Sequence, residues 1–211
     1  RGIRGCQTMM EGTMTEEGAG VIPPEPQGEK NHQIHVYYGF GKGKTTCCIG
    51  LAIRALGAGK RVGLVQFDKG YDGKKEHYSE RRILRQLNGM VLYPTGCERM
   101  MEDGSFRFGA EPRDIAEAGR GVEIARGLIR GSTLDLLILD EILAAAAYDL
   151  LEQAEVMDLI DEYDRNRRCE LVLTGHKIWE DLLAKADLVT EMRKVKHYYA
   201  KGTGARLGIE Y

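Results

Sequence analysis

Ile34-His35-Val36-Tyr37-Tyr38-Gly39-Phe40-Gly41-Lys42-Gly43-Lys44-Thr45-Thr46 reads as a short β-branched and aromatic strand, then a glycine loop, then the start of a helix. The helix runs from about Lys44 to Leu56 and is stopped by Gly57 and Gly59. Glycines let successive backbone N–H groups converge on one point, which makes a concavity for oxyanions. The helix start adds the positive end of its dipole. Lys44 contributes a mobile point charge, and Thr45 a hydroxyl suited to Mg²⁺. The strict phosphate-loop motif asks for glycine five residues before Gly43, where this chain has Tyr38; its first glycine is Gly39, one residue late. The alternative is a purely structural glycine turn. Flanked by a strand and a helix, the Gly-Lys-Thr triplet points to phosphate. Lys42 reads equally as a second phosphate contact or as a solvated loop lysine.

Outward from this loop a βα rhythm continues. Val62–Phe67 reads as a second strand, Ser79–Leu87 as a helix and Val91–Tyr93 as a weak third strand. Ile115, Ala118, Val122, Ala125 and Ile129 recur at helical spacing between Pro112 and Gly131. Leu134–Leu139 is almost wholly apolar, as strands buried on both faces of a parallel sheet are. Val156, Leu159, Ile160 and Tyr163 mark another helix, with Asp149 and Glu152 in capping-box spacing. Leu171–Thr174 and Leu188–Met192 are strands flanking a helix near Glu180–Ala186. The pattern predicts an α/β fold: a mostly parallel central sheet with helices on both faces. Residues 31–211 form one domain on this reading. Residues 1–30, rich in Gly, Glu, Thr and Met and broken by Pro23, Pro24 and Pro26, read as a flexible arm.

The apolar strand ends in Asp140-Glu141, which sets two carboxylates at the carboxyl edge of the sheet, where open α/β sheets bind ligands. One of them can hold Mg²⁺ directly or through water; helix capping is the other use for such residues.

Composition narrows the function classes. Thirty basic against thirty-two acidic residues give a net charge of −2, so there is no general surplus of positive charge for nucleic acid or an anionic membrane. The apolar runs are interrupted well short of the roughly 18 residues of a membrane span. Five cysteines, an odd number with no C-x-x-C pair, disfavour a disulfide framework or a zinc site and fit free thiols in a cytoplasmic protein.

The run Gly39–Thr46 followed by Val62-Gly63-Leu64-Val65-Gln66-Phe67-Asp68-Lys69-Gly70 resembles the P-loop corrinoid (cob(I)alamin) adenosyltransferases. Leu139-Asp140-Glu141, Ala147-Tyr148-Asp149, Leu173-Thr174-Gly175, Ala186–Glu191, Val195-Lys196-His197 and Gly208–Tyr211 agree with it, so that the likeness covers about residues 32–211. The resemblance implies a RecA-like P-loop fold. It implies an enzyme in which the Co(I) centre of a corrinoid attacks C5′ of ATP and the triphosphate leaves whole. Gly39, Gly41, Lys42, Gly43, Lys44, Thr45 and Thr46 would then wrap the phosphates, Thr45 and Glu141 would ligate Mg²⁺, and Asp140 would support them. Arg54 matches a family arginine, with a solvated helix-surface charge as the alternative. Gln66 and Lys69 would line the mouth of the site. The family further implies a homodimer, a flavodoxin or reductase as transient electron donor, and an N-terminal segment able to cover the site. A P-loop ATPase or kinase, or a non-catalytic corrinoid- or nucleotide-binding protein, are the alternatives.

Two positions depart from the family pattern. Some members carry Phe-x-Trp after a Thr-Gly, an aromatic pair that displaces the corrinoid's lower ligand; here Thr95-Gly96 is followed by Cys97-Glu98-Arg99. Phe106 and Phe108, from the same loop, are the substitutes or else core residues. Gly175 is followed by His176 where the family has arginine.

Overall fold

The structure is a computed structural model, and it describes residues 32–70, 76–99, 107, 109–131 and 133–211. The arm at residues 1–30 and the two phenylalanines at 106 and 108 lie outside the described residues.

Among the described residues six strands and six helices alternate, except that α4 leads directly to α5: β1 (Ile34–Tyr38), α1 (Lys44–Gly57), β2 (Val62–Gln66), α2 (Glu80–Leu84), β3 (Met90–Pro94), α3 (Pro112–Gly131), β4 (Leu136–Asp140), α4 (Ile142–Ala147), α5 (Gln153–Asp164), β5 (Glu170–Gly175), α6 (Glu180–Lys185) and β6 (Leu188–Glu191). A 3₁₀ turn follows at Tyr198–Lys201. The sheet order is β3-β2-β4-β5-β1-β6, with every neighbouring pair parallel. This is the doubly wound RecA-like P-loop arrangement: β5 lies between the strand that leads into the glycine loop and the strand that ends in Asp140.

Side chains alternate across the strands, so one run of residues feeds two cores. Val36, Val65, Leu137, Leu139, Leu171 and Leu173 face α3, α4 and α5 and are buried with Leu143, Leu159 and Ile160. Leu64, Leu136, Ile138 and Val172 face the other way, onto Cys48, Ala52 and Ala55 of α1. Both faces of β4 are thus dry, as its unbroken apolar composition requires.

Two local readings are corrected. The capping box of α5 is formed by Glu152 and Glu155, not by Asp149 and Glu152; Asp149 instead takes a left-handed φ of 59° in the preceding turn. Ile142–Ala147, an apolar run with no assigned element in the sequence reading, is the short buried helix α4. Its six residues are too few for helical periodicity to show.

Candidate functional site at the carboxyl edge of the sheet

The glycine loop joins β1 to α1 and is pressed against the segment that leaves β6. The Gly41 N–H donates to Met192 O at 2.7 Å, and the Met192 N–H donates to Tyr38 O at 2.7 Å. A Cβ at Gly39 or Gly41 would stand 2.5 Å from Met192 O, so backbone meets backbone with no room for a side chain. The Lys44 ammonium curls back into the loop, donating to Gly39 O at 2.9 Å and Gly41 O at 3.2 Å, and is nearly buried.

Beside the loop, α1, β5 and the end of β2 converge on Asp140, the last residue of β4. Its side chain has no solvent exposure. The Thr45 hydroxyl donates to Oδ1 at 3.0 Å and to Oδ2 at 3.1 Å. The Thr174 hydroxyl, from β5, donates to Oδ1 at 2.9 Å. The Lys69 ammonium, just beyond β2, lies 2.6 Å from Oδ2 and 2.7 Å from Thr45 Oγ1. The Gln66 amide adds a longer contact at 3.3 Å. Burial alone would raise the Asp140 pKa, but the charge and hydrogen bond of Lys69, with Thr174 and Gln66, hold it below the usual value. Burial lowers and the two carboxylates raise the Lys69 pKa, and the carboxylates prevail. The carboxyl of Glu141 is pushed up, by burial first and by Asp140 among the charges.

The ammonium of Lys69 marks a place where hard oxygens hold positive charge. Thr45 Oγ1 and Asp140 Oδ2 hold it, with Thr174 and Glu141 adjacent. No preformed cluster of three or more His, Cys, Asp or Glu exists among the described residues. A nucleotide-bound Mg²⁺ does not need one, since it takes one or two protein oxygens and completes its shell with phosphate and water.

A cavity of about 580 Å³ opens from this cluster, lined among others by Phe67, Lys69, Tyr78, Arg99, Glu141 and His176. Asp68, Glu141 and Asp149 also line it, and they are the non-glycine residues with positive φ among the described residues, at 51°, 65° and 59°. Strained backbone of this kind concentrates at functional sites. His176 stacks on Phe40 with centroids 5.5 Å apart, and its Nδ1 lies 3.1 Å from the Tyr148 hydroxyl. Burial and the nearby Lys44 charge lower its pKa, so it favours the neutral ring. Where the aromatic pair was absent from the sequence, Arg99 forms an ion pair with Asp68 at 2.6 Å and donates to Gly109 O at 2.7 Å.

The structure brings together Gly39, Gly41, Gly43, Lys44, Thr45, Gln66, Lys69, Asp140 and Glu141. Thr46 is exposed and lines a second cavity of about 510 Å³ with Thr45, Lys69 and the chain's last residues. Lys42 is exposed and donates to Ile209 O at 3.0 Å, so it ties the loop to the tail rather than pointing into the loop. Arg54 is not brought to the site: it is exposed in the last turn of α1, and ten helical residues from Lys44 correspond to about 15 Å. Gln66 does not line the mouth either; it is fully buried beneath it. Thr174 and Arg81 were missed. Thr174 carried a signal, a lone hydroxyl closing an apolar strand that ends in glycine. Arg81 carried none, since it sits in an ordinary charged helix.

The sequence profile of the ATP:corrinoid adenosyltransferase family (BtuR/CobO/CobP) matches residues 30–211. The chain is 36% identical over 180 residues to a corrinoid adenosyltransferase of Escherichia coli K12, covering 84% of this chain and 85% of that one. It is 34% identical over 185 residues to the corrinoid adenosyltransferase CobA of Salmonella typhimurium LT2, covering 87% of each. A corrinoid adenosyltransferase of Pseudomonas aeruginosa is 34% identical over 176 residues, 83% of this chain and 82% of that one.

Proposed function

Because the chain belongs to the ATP:corrinoid adenosyltransferase family and transfers the adenosyl group of ATP to a corrinoid, we propose that the Asp140–Thr45–Lys69 cluster and the glycine loop are what hold the triphosphate for that reaction. The observation that carries this reading is the buried, ionised carboxylate of Asp140, aimed by two hydroxyls and an ammonium at the foot of the loop.

Breaking the C5′–O bond of ATP leaves negative charge on the departing triphosphate. Groups fixed where that charge develops stabilise the transition state without reorganising. The Gly39 and Gly41 amides are taken by Gly175 O and Met192 O, so the donors are the amides that open α1 and the Lys44 ammonium, which has only to exchange the Gly39 and Gly41 carbonyls for phosphate oxygens. Thr45, Glu141 and Asp140 have the oxygen chemistry to hold Mg²⁺, which would supply further positive charge to the phosphates. With those oxygens given over to a metal ion, the Lys69 ammonium would be available to a phosphate oxygen. Cobalt, as part of the substrate, is the nucleophile, so the protein needs no nucleophilic side chain of its own. The cavity walled by Phe67, Tyr78, Tyr148 and His176 suits the nucleoside. A corrin ring is too broad for about 580 Å³ and would lie across its mouth.

The remaining assignments rest on the family resemblance: a homodimer, a flavodoxin or reductase as electron donor, and residues 1–30 as an arm over the site on a single domain of residues 31–211. A cytoplasmic location is supported by the free thiols of Cys47, Cys48, Cys97 and Cys169. No helix among the described residues is long and apolar enough to cross a membrane.

The test is anaerobic incubation with ATP, Mg²⁺ and chemically reduced corrinoid, following the cobalt spectrum and the phosphate product. Alkyl-cobalt bands with equimolar triphosphate, both lost on chelation of Mg²⁺, are expected. Orthophosphate released without corrinoid would instead indicate an ATPase or kinase.

A further inference from the structure

Arg81, the second residue of the short helix α2, is among the largest fully buried side chains of the described residues. A buried guanidinium is expensive to desolvate, and an apolar side chain of similar volume would fill the same space at least as well for stability alone. Most of its hydrogen bonds run to the end of β2 and the residues that follow it. Nε donates to Gln66 Oε1 at 2.6 Å, one terminal nitrogen donates to Lys69 O at 2.5 Å, and the other reaches Gly70 O at 3.5 Å. The same nitrogen meets Glu76 Oε1 at 3.2 Å, so Arg81 joins both ends of the segment between Gly70 and Glu76. The guanidinium also lies over the Tyr78 ring, 4.5 Å from its centroid, and the Lys69 ammonium lies 5.6 Å from that centroid.

We propose that Arg81 is a positioning residue for the nucleotide site, acting through Gln66 and through the backbone that carries Lys69. A guanidinium has only donors. Facing it, Gln66 must present its carbonyl oxygen, and this turns the Gln66 NH₂ toward Asp140 Oδ2. The amide is thereby kept from turning its oxygen onto the carboxylate. The bonds to Lys69 O and Gly70 O fix the main chain at the point where the Lys69 side chain departs for Thr45 and Asp140. Tyr78 closes the third side. The side chains that meet Mg·ATP are aimed from beneath by a residue that never touches it.

The inference rests on the reading that Lys69, Asp140 and Thr45 receive Mg·ATP, and the experiment separates the two. Arg81→Lys and Arg81→Met are compared with the wild-type full chain for binding of a non-reactive ATP analogue with Mg²⁺, for KM and kcat of adenosyl transfer, and for thermal unfolding. Analogue Kd and ATP KM should rise about tenfold or more in variants that remain folded. A lowered Tm with unchanged Kd and KM would make Arg81 a structural residue and overturn the proposal. If neither variant folds, Glu76→Gln, which loosens the far end of the guanidinium, should raise Kd about threefold, and an unchanged Kd would overturn it equally. If Lys69→Met bound the analogue as tightly as the wild type, the site reading would fail instead, before Arg81 was in question.

Discussion

Asp140 and Lys69 form an ion pair of 2.6 Å in which the carboxylate is fully buried and the lysine side chain is 12% exposed. Removing one member of a buried pair leaves the other uncompensated. Asp140→Asn is therefore expected to lower the unfolding free energy by about 3 kcal/mol and to weaken Mg·ATP binding as well. Denaturant unfolding followed by analogue binding on the folded fraction measures both. An Asn variant as stable as the wild type would show that water screens the pair.

Lys44→Ala removes the ammonium that now lies on the Gly39 and Gly41 carbonyls. The helix start keeps its backbone, so the fold should survive. Adenosyl transfer should fall about 100-fold or more, the scale for losing one preorganised charge donor. Steady-state kinetics with ATP and reduced corrinoid check it.

Gly41 and Gly50 make an opposed pair. A methyl group at Gly41 meets the Met192 carbonyl oxygen at 2.5 Å and the main chain of Arg193 at 2.9 Å, whereas one at Gly50, inside α1, meets nothing within 4 Å. Gly41→Ala should displace the loop and weaken analogue binding about tenfold. Gly50→Ala should leave binding alone and stabilise the protein by about 0.5–1 kcal/mol.

Asp114, which lies 3.9 Å from the cavity-lining Arg99, supplies a pH test of stability. Its buried carboxylate accepts two bonds from Arg107, at 2.8 and 2.7 Å, and the Glu111 N–H at 2.9 Å. The Arg107 bonds come first among the causes that outweigh burial and hold its pKa well below the ordinary 3.8. A depressed pKa means the folded protein favours the ionised form. That contribution is complete above 3.8 and is lost as pH falls toward the folded value. The stability gap between wild type and Asp114→Asn should be constant at neutral and mildly acidic pH and close only below 3.8. A gap already closing near neutrality would contradict the depressed pKa.

Much of the site was legible because its signals are local. A strand, three spaced glycines and Lys-Thr lie within thirteen residues, and β4 announces itself by being apolar until Asp140. What sequence spacing could not supply was direction. Arg54 occupies the expected position along α1, yet helical rise carries it away from the loop. Lys42 lies inside the loop but bonds the tail at Ile209. Gln66 was recognised and misplaced, since whether the last residue of a strand faces out or in depends on what α2 lays over it. Arg81 and Thr174 gain meaning only when sheet order sets β5 between β1 and β4 and α2 brings Arg81 against Gln66 at the end of β2. Those are long-range facts with no periodicity to betray them.

Glu141 holds a left-handed backbone with φ of 65° where glycine would rest without strain. Glycine there would relieve about 1 kcal/mol or more and delete a carboxylate from the cavity wall. At this one position durability and turnover pull apart: directed evolution for heat resistance alone would drift toward an inert protein, whereas selection for turnover would retain the awkward bend.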